Sequence, residues 1–169
     1  MFPQELTLSY RLRSPLRYGE NPHQPAALYT QVPAASGIPW ATQIQGKELS
    51  FNNLLDADAA WRVVTAFREC AVAIIKHNNP CGLATDPNQT KAYRKAFEGD
   101  PISAYGGIVS FNQPVTPEVA IAMGDVFYEV VIAPDYNPEA LEILKKKKNL
   151  RLLQITQIVG DINQMEHRD

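Results

Sequence analysis

Lysine and histidine stand side by side at Lys76-His77, where the apolar run Ala71-Val-Ala-Ile-Ile75 meets Asn78-Asn79-Pro80-Cys81-Gly82. Histidine titrates near neutrality and can take a proton from a weakly acidic amine as a bond forms. A neighbouring lysine stays cationic unless desolvated and can meet negative charge growing on a carbonyl oxygen. In an ideal strand, consecutive side chains point to opposite faces. The turn at Asn78–Pro80 therefore has to bring both groups toward one ligand. The plainer alternative stays open: a solvated Lys76, with His77 merely capping the turn.

Other residues could join such a site. The segment Leu16-Arg17-Tyr18-Gly19-Glu20-Asn21-Pro22-His23-Gln24 offers Arg17, a planar cation suited to phosphate, and Tyr18, a ring to stack on a base. His23 can equally satisfy turn carbonyls. Asp100-Pro-Ile-Ser-Ala-Tyr105-Gly106-Gly107 ends in two glycines that either admit a ligand close to the backbone or only make a bend. Glu129 could accept hydrogen bonds from a ribose or an amine, or could be a solvated strand-end carboxylate. A zinc site finds no support in the spacing. Pro80-Cys81 lacks a second cysteine three residues on, Asn79 stands where a deaminase would need glutamate, and His23, His77 and His167 make no ligand set.

These residues need a scaffold, and the periodicity supplies one from residue 54 onward. Ala57, Ala60, Trp61, Val64 and Phe67 fall on one helical face, followed by a buried strand at 71–76. Asp86-Pro-Asn-Gln-Thr-Lys starts a helix with an Ala92, Tyr93, Ala96, Phe97 stripe. Strands are expected at Gly107–Phe111, Val130–Ala133 and Leu150–Ile155. Thr116-Pro117-Glu118 and Asn137-Pro138-Glu139 read as helix starts, each with a capping residue, proline and acid in order. This βαβα alternation predicts an α/β fold with a mostly parallel sheet and helices on its faces. The site would then lie at the carboxyl ends of strands. In the first fifty residues, Leu6, Leu8, Tyr10 and Leu12 alternate, as does Ala27–Tyr29 more weakly. Those segments predict extended or hairpin structure with residues 16–24 as a loop between them. The proline-rich stretch Val32–Pro39 reads as a turn or surface loop.

At 169 residues and 45% hydrophobic, the chain can bury one substantial core. Its net charge of −2 argues against a nucleic-acid partner. The Lys145–Lys148 run fits a helix C-terminus, where cations offset the macrodipole. Cys70 and Cys81 have no disulfide-framework spacing, no apolar run reaches membrane-spanning length, and Met1-Phe-Pro-Gln-Glu lacks a signal-peptide profile. A cytoplasmic location without a membrane partner is the expectation.

Five motifs together carry a resemblance. Leu16–Gln24, Gly46-Lys-Glu-Leu-Ser-Phe-Asn-Asn-Leu-Leu-Asp56, Ile75–Gly82, Ala96-Phe-Glu-Gly-Asp-Pro-Ile-Ser-Ala-Tyr-Gly-Gly107 and Glu129-Val-Val-Ile-Ala-Pro134 follow one another in order. They resemble the transformylase part of the bifunctional purine-biosynthesis family that joins AICAR transformylase and IMP cyclohydrolase activities. The likeness runs from about residue 8 to 155. It implies formyl transfer from 10-formyltetrahydrofolate, as cosubstrate, to the 5-amino group of AICAR, giving FAICAR and requiring no zinc. By the same resemblance, His77 matches the proton acceptor for the attacking amine and Lys76 the group that stabilises the developing charge. Arg17, Tyr18, His77, Gly106 and Glu129 match nucleotide-binding positions. The implied fold is a layer like that of cytidine deaminase, and the implied site lies at a dimer interface.

The family chain is far longer than this one. Residues 1–155 correspond to a first transformylase half, without the cyclohydrolase domain or the second half that supplies most folate contacts. Thr156–Asp169 reads as an unassigned polar tail. The expectation is a fragment or incomplete subunit, paired as a homodimer or with a complementing half and unable to perform the cyclohydrolase step. A half-domain that only binds purine nucleotide or scaffolds a dimer is the alternative.

Overall fold

A computed structural model describes residues 4–31 and 37–155. The expectations for 32–36 within the proline-rich stretch and for the tail from residue 156 lie outside the described residues.

Strands β1 (Tyr10–Leu16) and β2 (Ala26–Gln31) form an antiparallel hairpin joined by the 17–25 loop. The remaining strands are β3 (Thr42–Gln45), β4 (Ala71–Lys76), β5 (Asn79–Thr85), β6 (Ile108–Phe111), β7 (Val130–Ala133) and β8 (Arg151–Gln154). They make one sheet in the order β3-β8-β7-β6-β4-β5. Helices α1 (Phe51–Thr65), α2 (Gln89–Gly99), α3 (Pro101–Ala104), α4 (Pro117–Ala122) and α5 (Pro138–Lys145) complete the fold.

The α/β class holds, but the sheet is mixed rather than mostly parallel. Only β6–β7 and β7–β8 pair in parallel; β3–β8, β4–β5 and β4–β6 are antiparallel. The cause lies at residues 77–85. Sequence reading takes Asn79-Pro80 and Gly82 as turn residues, yet they belong to β5. A two-residue turn at His77-Asn78 sends the chain straight back beside β4. β5 is an edge strand, where proline's missing N–H does no harm. An extra residue, Cys81, forms a bulge between the Ile74–Gly82 and Ile75–Pro80 pairs. After β5, α2 carries the chain back, and β6 therefore enters antiparallel to β4.

The sheet divides the core into two layers. Ala71, Ala73 and Ile75 of β4 face α1, packing with Ala57, Ala60, Trp61 and Val64. Val72 and Ile74 face the other way, toward Ala92, Tyr93 and Ala96 of α2, with Val119 of α4 and Leu144 of α5 in the same cluster. Alternation puts successive side chains on opposite faces, and both faces are covered. That is why β4 reads as an unbroken apolar run.

Local signals set the helix ends as expected. Thr116 Oγ1 accepts from Val119 N, Asn137 Oδ1 accepts from Glu139 N, and a proline follows each cap. The α2 cap is Asn88, whose own N–H donates to Asp86 Oδ1. Lys145 closes α5, placing the lysine run at a helix C-terminus.

Candidate functional site

Every sequence-nominated residue except those in the 17–24 loop lies at one rim of the sheet. The rim is formed by the carboxyl end of β4 and the amino ends of β6, β7 and β8. The strand-end rule thus holds for β4 alone, because β4 opposes its neighbour. Ile75, Ile108 and Val130 are successive register partners. Lys76 and Glu129, one position nearer the rim, are therefore about 10 Å apart, two strand spacings.

Lys76 is half-buried, and its ammonium donates to Tyr105 O at 2.7 Å. That bond ties the end of β4 to the loop before β6. His77 and Asn78 both adopt left-handed backbone, with φ of 51° and 59°. This is the geometry of a two-residue hairpin turn. It lets two sequence neighbours line one cleft. Lys76, His77, Asn79, Pro80, Cys81, Asp100 and Ser103 enclose about 430 Å³ there. Lys76 and His77 both line this cleft, and the turn that brings them there starts one residue earlier, at His77, than the Asn78–Pro80 turn read from the sequence.

The cleft's other groups are not nucleophiles. Burial, then the Asp100 charge, push the Cys81 thiol up, against the opposing pull of Lys76. Cys81 therefore stays protonated near neutrality. Asp100 caps α3 by accepting from Ser103 N at 2.9 Å, and the Ser103 backbone and hydroxyl donors hold its carboxyl below the usual range. Among the described residues, no three His, Cys, Asp or Glu side chains gather closely enough to share an ion. No helix among them is long and apolar enough to cross a membrane.

Gly106 takes φ 77° and donates its N–H to Phe127 O at 2.8 Å. A Cβ there would stand 4.0 Å from Lys76 Nζ, so the glycine is set beside the ammonium. Its conformation, not a shortage of space, demands glycine. Glu129 N donates to Gly107 O at 3.0 Å. Its carboxylate accepts from Asn53 Nδ2 at 2.7 Å and lies 3.8 Å from the buried Arg151 guanidinium.

Arg17 and Tyr18 belong to the hairpin loop, which docks on the start of α1. Arg17 N donates to Leu49 O, Phe51 N donates to Tyr18 O, and Asn52 Nδ2 donates to Glu20 O. The Arg17 guanidinium is exposed and stacks over the Tyr18 ring at 5.3 Å. Among the described residues it has no carboxylate partner. His23 is exposed; its neighbour Gln24 closes the loop, its side-chain oxygen accepting from Asn21 N and its backbone oxygen from Gly19 N.

The first two turns of α1 join these pieces, a role sequence reading missed. Phe51 holds the Tyr18 loop, Asn53 holds Glu129, and the Asp56 carboxylate accepts from His77 N at 3.0 Å and Asn78 N at 2.7 Å. Asn53 and Asp56 are three residues apart, on one face and about 4.5 Å apart along the axis. The signal was Asn53 itself. It is a polar residue at the head of the buried Ala57-Ala60-Val64 stripe, so its amide needs partners.

The chain matches the family model described as AICARFT/IMPCHase bienzyme over residues 1–169. It is 51% identical over 164 residues to a bifunctional purine biosynthesis protein of Dictyostelium discoideum, covering 95% of this chain and 30% of that protein. A Rhodospirillum rubrum protein of the same description is 52% identical over 159 residues, covering 94% and 30%. One from Clostridium botulinum strain Hall is 49% identical over 153 residues, covering 90% and 31%. The chain thus spans under a third of the length of these relatives.

Proposed function

The chain belongs to the AICARFT/IMPCHase bienzyme family, and from that premise we propose that it carries the catalytic pair for formyl transfer from 10-formyltetrahydrofolate to the 5-amino group of AICAR in purine biosynthesis. One observation carries the reading: Lys76 and His77 share a single cleft beside a glycine-lined rim.

The AICAR amine is a poor nucleophile, because its lone pair is delocalised into the imidazole and carboxamide. A site for it needs both a positioned base and a stabilised oxyanion. His77 accepts the proton the amine sheds as its nitrogen bonds to the formyl carbon. Lys76, anchored at 2.7 Å to Tyr105 O, meets the charge that moves onto the formyl oxygen. The tetrahedral adduct collapses with cleavage of the bond from carbon to folate N10. His77 is placed to return its proton to that nitrogen, giving FAICAR and tetrahydrofolate.

Arg17 and Tyr18 would bind the nucleotide from the α1 side, Gly106 would let it approach the backbone, and Glu129 would accept from its amine or ribose. The folate contacts fall to whatever completes the pocket, either a second copy or a complementing transformylase half.

The test is a chimera in which this chain replaces the aligned stretch of the Dictyostelium discoideum relative. His77→Ala should lower formyl transfer by roughly 100- to 10,000-fold. Lys76→Met should lower it by roughly 100- to 1,000-fold while AICAR binding changes little. Turnover surviving His77→Ala would remove the base assignment. AICAR binding without turnover in the unsubstituted chimera would favour a nucleotide-binding module instead.

A further inference from the structure

We infer that Asp56 is a positioning residue whose carboxylate clamps the left-handed His77-Asn78 turn and thereby aims His77 into the cleft. The inference rests on the proposed role of His77 as base and extends it to a residue 21 positions away.

Two-residue hairpin turns with positive φ at both positions favour Asn-Gly, Asp-Gly or Gly-Gly. Here a histidine takes the first position and asparagine the second. Left-handed backbone is unfavourable for an L-residue with a Cβ, and a histidine has no glycine-like freedom to relax into it. Something must hold the turn. Both backbone N–H groups point into one carboxylate: Asp56 Oδ2 takes His77 N at 3.0 Å and Oδ1 takes Asn78 N at 2.7 Å. Successive N–H groups aimed at one anion form a nest, and bonds to an ionised acceptor are the stronger kind. Asn79 Nδ2 adds a bond to His77 O at 2.8 Å, closing the turn from its other side.

The clamp is rooted in α1, the helix that also holds Glu129 through Asn53. One rigid element therefore fixes the proposed base relative to the nucleotide-binding carboxylate. Asp56 does not line the cleft, so it acts through His77 and not on substrate.

The test has two arms. In the 169-residue chain, ¹⁵N NMR should show the His77 and Asn78 amide protons shifted downfield by their bonds to a carboxylate. Asp56→Asn should move both upfield and leave distant amides unchanged. In the chimera, Asp56→Asn should lower kcat by roughly 10- to 100-fold, as expected for a misplaced reacting group, with the AICAR KM within about threefold. Asn78→Gly eases the second left-handed position and should restore much of the lost kcat in the Asp56→Asn background.

Unmoved amides on Asp56→Asn would overturn the clamp. A kcat unchanged by Asp56→Asn, in a chimera that His77→Ala inactivates, would overturn the positioning role while leaving the base assignment intact. Loss without rescue by Asn78→Gly would likewise overturn it. If His77→Ala itself retains turnover, the proposed function fails, and the NMR arm still decides whether Asp56 clamps the turn.

Discussion

Asn53→Ala should unfasten the proposed site from the helix that organises it, and its cost can be worked from the contacts. Asn53 is 6% exposed and makes three bonds. Its Nδ2 donates to Glu129 Oε2 at 2.7 Å, its Oδ1 accepts from Ser50 N at 3.2 Å, and its own N–H donates to Ser50 Oγ at 3.2 Å. Alanine keeps the third and loses the first two. A hydrogen bond to a charged group contributes about 1.5–3 kcal/mol, but the freed carboxylate, 43% exposed, regains water and places this one at the low end. Half of a capping box adds about 0.5–1 kcal/mol. Together these predict a loss of about 2 kcal/mol, roughly a 30-fold shift in the folding equilibrium.

The nearby Arg151 contact is a weaker rival. At 3.8 Å from a partly exposed carboxylate, it should couple to Glu129 by less than about 0.5 kcal/mol. Urea unfolding of the 169-residue chain, followed by Trp61 fluorescence on the same helix, gives midpoint and slope together. A double-mutant cycle of Asn53→Ala with Glu129→Ala should return about 1–2 kcal/mol of coupling, and a cycle of Arg151→Met with Glu129→Ala much less. Coupling near zero in the first cycle, or a reversed order of the two, would refute the reasoning.

Three further outcomes concern the scaffold. Tyr93 and Tyr128 hydroxyls meet at 2.8 Å with both residues about 2% exposed. Phenylalanine at either position should cost about 1–2 kcal/mol by orphaning the other hydroxyl, while the double variant should cost less than the sum; strict additivity in urea melts would contradict this. Burial also pushes the Tyr93, Tyr128 and Tyr136 hydroxyls up. Because their folded values lie above the unfolded one, their contribution is whole below about pH 10 and is lost as pH rises past it. A urea midpoint unchanged between pH 8 and pH 11 would oppose that sign. Gly82→Ala would drive a Cβ into the Ala96 carbonyl oxygen, where β5 lies against α2. Neither backbone can yield cheaply, and a loss of at least about 2 kcal/mol should follow; a wild-type melting profile would show that the two elements separate easily.

Much was legible because its causes are local. Thr116-Pro117-Glu118 and Asn137-Pro138-Glu139 announce helices through caps a few residues wide, and the apolar run at 71–76 announces a strand whatever lies beside it. The alternation of Leu12 with Tyr10, and of Ala27 with Tyr29, announced a hairpin. Lys76 and His77 stood out by residue type alone. The Asn79–Thr85 strand did not, because asparagine, proline and glycine are turn residues everywhere except at an edge or a bulge, and edge status belongs to the sheet.

The amino-acid sequence by itself determined the α/β class, most of the element boundaries and the catalytic candidates, since propensity, capping and periodicity act over a few residues. Tertiary structure alone decided the strand directions, which follow from a return turn at His77-Asn78. It also decided which rim carries the site, and the partnerships of Asp56 with that turn and of Asn53 with Glu129, 21 and 76 positions apart. A carboxylate on a helix has no local reason to choose one backbone N–H over another. Only the packing of α1 against β4 and β7 brings these groups within hydrogen-bond reach, and for Asn53 burial then makes the partnership obligatory.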